Sequence, residues 1–164
     1  MRISASIYSD KKRELSETIR DLAEHHVDLL HVDCNDDPAV FEDIARIRTW
    51  CNIPIDLHII TKKPSKYFDL LRTVPVEYVT FQLEDLEEEL VIPSDITGKK
   101  GLAVITPTSI EAFEPYSSFD FILIMAFSRA REHTGRHGQL QCFGCPGTTA
   151  NLHRFKAMIQ RQAL

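Results

Sequence analysis

Leu29-Leu30-His31-Val32-Asp33-Cys34-Asn35-Asp36-Asp37-Pro38 opens as an apolar run of strand type and closes on an Asp-Asp-Pro helix start. A polar cluster therefore sits where a buried strand surfaces, the place at which α/β proteins keep their chemistry. Side chains two apart on a strand share a face, so His31 and Asp33 point one way while Leu30 and Val32 point the other. Further on, Ile55-Asp56-Leu57-His58-Ile59-Ile60 repeats the design, with His58 near the end of a second apolar strand. Two imidazoles and a carboxylate from adjacent strands make a donor set for a divalent metal ion. Each residue alone reads more simply as a cap or a hydrogen-bonded rim group. Their recurrence on successive strands of one alternating pattern favours a site.

At 164 residues and 43% hydrophobic content the chain is sized for one domain with its own core. The longest apolar run, Phe119 to Phe127, is interrupted by Asp120 and is too short to span a bilayer. Ser, Tyr and Lys within the first dozen residues leave no secretory apolar core, so a cytoplasmic protein without a membrane partner is expected. The four cysteines give no disulfide framework, which fits a reducing compartment. A net charge of -5 argues against nucleic acid as partner.

That average conceals a break. Residues 1–126 carry 13 Lys+Arg against 23 Asp+Glu, whereas 127–164 carry 6 against 1. Four of the six glycines and three of the seven histidines also fall in the last segment. The expected organisation is thus a βα portion over 1–126 and an atypical basic tail over 127–164.

Within the first portion strands and helices alternate. Arg2 to Tyr8 alternates apolar and small polar residues as a first strand. Leu15, Ile19, Leu22 and Ala23 lie at helical spacing, in a helix that ends near the solvated pair His25-His26. Asp37 and Pro38 supply an N-cap and first position for a second helix, whose buried stripe is Val40, Phe41, Ile44 and Ile47, with Trp50 a candidate to join it. Strands follow at Ile55–Ile60, Tyr78–Gln82, Gly101–Ile105 and Phe121–Met125, the last read as buried on both faces. Pro64 starts a third helix, whose Tyr67, Phe68, Leu71 and Val74 are spaced for burial. Glu84 to Glu89 reads as a solvated loop or short helix, and Thr106 to Ser109 cap another short helix. Six such units suit an open doubly wound sheet or part of a (β/α)8 barrel. No Gly-rich phosphate loop follows the first strand, which removes the dinucleotide fingerprint.

Ile3-Ser4-Ala5-Ser6-Ile7, Leu30-His31-Val32-Asp33-Cys34-Asn35-Asp36, Ile55-Asp56-Leu57-His58, Val79-Thr80-Phe81 and Asp120-Phe121-Ile122-Leu123-Ile124-Met125 together resemble the ribulose-phosphate 3-epimerase family, a TIM-barrel family, over about 1–126. The resemblance implies an incomplete TIM-type barrel in this chain. It implies that His31, Asp33 and His58 are three of four ligands to a divalent metal, commonly zinc, iron or manganese. It further implies that Asp33 is one of two acid/base carboxylates, and that Ser6, His58 and Met125 meet the substrate. Epimerising a carbon beside a ketone removes a proton from one face and returns one to the other, through an enediolate. Opposed carboxylates can exchange the roles of base and acid, and a metal steadies the charge.

The departures from the pattern are specific. Asn35 and Ile60 stand where the family has methionines, and Asp37 where it has a glycine, so a sugar phosphate other than ribulose 5-phosphate stays open. After Met125 the family continues with a phosphate loop and a strand bearing a second catalytic aspartate. Here Phe127-Ser128-Arg129-Ala130-Arg131-Glu132-His133 follows, and no Asp occurs after Asp120. Two accounts of the tail stand open. A reading-frame change after about Ala126 would explain the abrupt Arg, His, Gly and Cys enrichment. Alternatively, His133-x-x-x-His137 and Cys142-x-x-Cys145 would close a small zinc knuckle. In either case Asn151 to Leu164 can form a terminal helix.

The expectation is therefore metal-dependent epimerisation of a ketose phosphate, impaired by the missing second aspartate, in a marginally stable chain with bare strand edges that forms homo-oligomers. The alternatives are a catalytically inactive sugar-phosphate or metal-binding module, a structural partner of intact homologues, or a sugar-acid decarboxylase. The last is disfavoured because His rather than Lys occupies the strand ends.

Overall fold

The computed structural model describes residues 2–10, 12–105 and 107–125, with 110, 139 and 140 described as backbone only. It divides into two compact units, 1–99 and 100–164. The compositional break at 126, the proposed knuckle and the terminal helix lie outside the described residues.

In the first unit the strands β1 (Ser4–Ser6), β2 (Leu29–Asn35), β3 (Ile55–Ile60) and β4 (Tyr78–Gln82) pair in succession, every pair parallel. A doubly wound sheet reverses its strand order, whereas a TIM-type barrel lays each strand beside its predecessor. Successive pairing thus resolves the choice that spacing left open, in favour of the incomplete TIM-type (β/α) barrel. Helices α1 (Leu15–Glu24), α2 (Val40–Trp50) and α3 (Phe68–Thr73) supply the crossovers, the third preceded by a 3-10 turn over Pro64–Tyr67.

One face of these strands is apolar. Leu30, Val32 and Cys34 of β2, Ile55, Leu57 and Ile59 of β3, and Val79 and Phe81 of β4 are buried, as are Ile19, Phe41, Ile44, Ile47 and Leu71 of the helices. The opposite face carries the polar residues of the site. Gly98, next to last in the first unit, adopts the left-handed region at φ 87, where a Cβ would stand 2.3 Å from the Val76 carbonyl oxygen. Only glycine fits there.

In the second unit β5 (Lys99–Ile105) pairs in parallel with β6 (Phe121–Met125), and a 3-10 helix over Ile110–Tyr116 joins them. A short β7 (Gln139–Leu140), not anticipated from the sequence, pairs antiparallel with β6.

Several local readings change: among them, the fifth strand starts at Lys99 and not Gly101, and Phe68 and Val74 of the third helical segment are only half-buried. The first strand is shorter than its alternation suggests. The second helix starts at Val40 rather than Pro38, because Asp37 Oδ1 accepts from the Ala39 N–H and holds 37–39 in a turn. Trp50 is 41% exposed, its ring under the Arg46 guanidinium, instead of in the stripe. Strand β6 buries Phe121 and Leu123 but leaves Ile122, Ile124 and Met125 half-exposed.

Candidate metal centre

Parallel register places His31 beside Asp56 and Asp33 beside His58, so the polar positions of β2 and β3 share one face. Ser6 of β1 pairs with His31, and Thr80 of β4 pairs with His58. Alternation thus brings residues distant in sequence to one patch, with β2 at its centre.

Asp33 joins the two imidazoles. Its Oδ1 lies 3.1 Å from His31 Nε2 and 3.4 Å from His58 Nδ1. One ligand atom from each of the three residues lies within 4.8 Å of the others. Ligands about 2.0–2.2 Å from a tetrahedral ion stand roughly 3.3–3.6 Å apart, so small side-chain shifts would close a shell around an ion. Both imidazoles are almost fully buried, whereas the Asp33 side chain is 27% exposed. Of the three, Asp33 is the one a substrate can reach.

Partners behind the three fix their orientation, the arrangement metal-ligating histidines require. His31 Nδ1 donates to Asp56 Oδ2 at 2.9 Å, and the Ser4 hydroxyl donates to the same oxygen at 2.8 Å. His58 Nε2 lies 2.9 Å from Gln82 Oε1. On its other side, His58 Nδ1 is buried without a hydrogen-bond partner. An orphaned buried ring nitrogen costs about 1–3 kcal/mol, and a cation between it and Asp33 would satisfy it. The donor set therefore fits a divalent ion.

Electrostatics follow from this geometry. Burial alone would lower the His31 pKa, but Asp33 and Asp56 outweigh it and push the value up to about 9. Burial would raise the Asp33 carboxyl, yet its interactions with His31 and His58 hold it well below the usual carboxylate range. Beside the site, Asp36 adopts φ 57 and accepts from Thr61 and Tyr67 while pairing with Lys66, tying the end of β2 to the segment after β3.

Of the residues singled out from sequence, His31, Asp33 and His58 come together. Ser6 ends β1 half-buried, in register with His31. Met125 ends β6 in the second unit, half-buried. Sequence reasoning passed over Ser4, Asp56, Thr80 and Gln82. Period-two counting from Ser6 and His58 puts Ser4 and Asp56 on the site's face; Thr80 and Gln82 share a face of β4, and the pairing of Thr80 with His58 decides that it is this one.

Parallel strands in successive order, carrying His-x-Asp on one strand and His on the next, define a TIM-type α/β protein with a candidate His2Asp metal centre. The chain belongs to the ribulose-phosphate 3 epimerase family, whose model matches residues 2–163. The match runs beyond the 1–126 covered by the quoted motifs. A curated relative, the ribulose-phosphate 3-epimerase of Aquifex aeolicus (strain VF5), is 26% identical over 109 residues, covering 60% of this chain and 49% of that protein. The chain spans about half the length of that relative.

Proposed function

We propose that the chain binds zinc, iron or manganese through His31, Asp33 and His58 and acts on a ketose phosphate of the ribulose 5-phosphate type. The observation that carries this is the orphaned, buried His58 Nδ1 facing Asp33 Oδ1 at 3.4 Å, beside His31. When bound, a divalent cation supplies Lewis-acid stabilisation of the charge that develops on the substrate oxygens.

Asp33 removes the proton from the carbon beside the ketone. The contacts with His31 and His58 that lower its pKa keep it ionised, at a cost in basicity. His31 and His58, locked from behind by Asp56 and Gln82, hold Asp33 in place, while Ser6, in register with His31 on the same face, meets the substrate. Epimerisation also needs a proton donor on the opposite face, where residues 121–164 offer no Asp. One carboxylate can take and return a proton on one face only, so exchange outpaces inversion.

The test is ribulose 5-phosphate in deuterated water with zinc or manganese. Deuterium is expected to enter the carbon beside the ketone faster than xylulose 5-phosphate forms, and Asp33→Asn is expected to lower exchange by about 10²–10⁴-fold. Metal-induced thermal stabilisation without exchange would instead support the inactive metal-binding module. The absence of both stabilisation and exchange overturns the proposal.

A further inference from the structure

Gln82 ends β4 with its amide buried beside His58. The two ends of that amide differ in kind: Oε1 only accepts and Nε2 only donates. Oε1 lies 2.9 Å from His58 Nε2, and Nε2 donates to the Glu84 carboxylate. Glu84 decides which end faces the ring. Turned over, the amide would set its oxygen against a carboxylate oxygen, acceptor against acceptor, so that orientation is repelled.

The consequence passes inward. An acceptor held against His58 Nε2 requires a hydrogen on that nitrogen, which leaves the lone pair on Nδ1. Nδ1 is the atom that faces Asp33 Oδ1 and has no hydrogen-bond partner. His31 has no such selection, because carboxylates of Asp56 and Asp33 hydrogen-bond to both of its nitrogens, whereas at His58 only Gln82 makes a hydrogen bond and Asp33 Oδ1 stands off at 3.4 Å. The two imidazoles of the site are thus prepared differently.

We propose that Gln82 and Glu84 are positioning residues that fix His58 in its Nε2–H tautomer and so present a preformed Nδ1 lone pair to a divalent cation. The lock itself exists without metal; its use rests on the metal reading of the preceding section. The Glu84 carboxylate acts through Gln82, and Gln82 acts through the ring.

The experiment reads the tautomer directly. Long-range proton–nitrogen NMR spectra of the metal-free full chain, with His58 assigned by its loss in His58→Gln, report which ring nitrogen carries the hydrogen when the ring is neutral. The wild-type ring is expected as Nε2–H. Gln82→Leu, which removes the acceptor, and Glu84→Ala, at an exposed position that spares the fold, are expected to mix the tautomers. Zinc affinity, measured by competition with a chromophoric chelator, is expected to fall about 10–100-fold in both. A wild-type ring in the Nδ1–H form, or a Glu84→Ala chain with unmixed tautomer and unchanged zinc affinity, overturns the proposal. A wild-type Nε2–H ring in a chain that takes no zinc leaves the lock standing, overturns the metal reading, and with it the use assigned to the lock.

Discussion

His31, itself almost fully buried, is held between two carboxylates at 2.9 and 3.1 Å, that of Asp56 buried and that of Asp33 partly exposed. Removing one partner of such a buried pair leaves the other uncompensated, at a cost of about 3–5 kcal/mol. Asp56→Asn keeps the shape but loses the charge, and is expected to lower the urea midpoint of the metal-free chain by an amount near the bottom of that range. Ser4→Ala removes one hydroxyl donor from the same carboxylate and is expected to cost about 1 kcal/mol. A double-mutant cycle between the two should show coupling, since both act on Asp56 Oδ2. His31 and Asp33 were legible from sequence because i, i+2 parity is a local property of a strand. Asp56 was quoted in the same motif yet not recognised, because its role exists only once β3 lies in register with β2.

Among elements, Glu77 joins three of them. Its carboxylate accepts from the Arg48 guanidinium near the end of α2 and from the Ile55 N–H that opens β3, and the residue itself leads into β4. Partial burial would raise its pKa, but these partners outweigh it and hold the value below the usual glutamate range. A pKa depressed in the folded state gives stability that is present above about pH 4.3, the unfolded value, and is lost as pH falls through the folded one. Glu77→Gln is therefore expected to flatten the acid limb of the stability curve, with a loss near neutrality of about 0.5–1 kcal/mol because the side chain is 45% exposed. In the second unit, Gly101 of β5 leaves room for the Phe121 ring of β6, whose atoms would stand 2.4 Å from a Cβ. Gly101→Ala is expected to cost about 1–3 kcal/mol in thermal unfolding, and Phe121→Leu in the same chain to recover part of it.

For the molecule as a whole, metal linkage is the measurable property. An ion that binds the folded state alone stabilises it by about 2.7 kcal/mol at a hundred times its dissociation constant. Zinc or manganese is expected to raise the melting temperature of the full chain, and Asp33→Asn, at a partly exposed position, to reduce the rise. Among the described residues no helix is long and apolar enough to cross a membrane. The sequence by itself determined the alternation of strands and helices, the extents of β3, β4 and β6, and the faces on which His31, Asp33 and His58 sit. Those features are set by periods of two and 3.6 that each segment carries alone. Tertiary structure decided the successive strand order, the register that seats Asp33 between two rings, and the outer partners Ser4, Asp56, Gln82 and Glu84. The physical reason is that lateral pairing depends on how the crossover helices bury the apolar face, a property of several segments packed together that none of them carries alone.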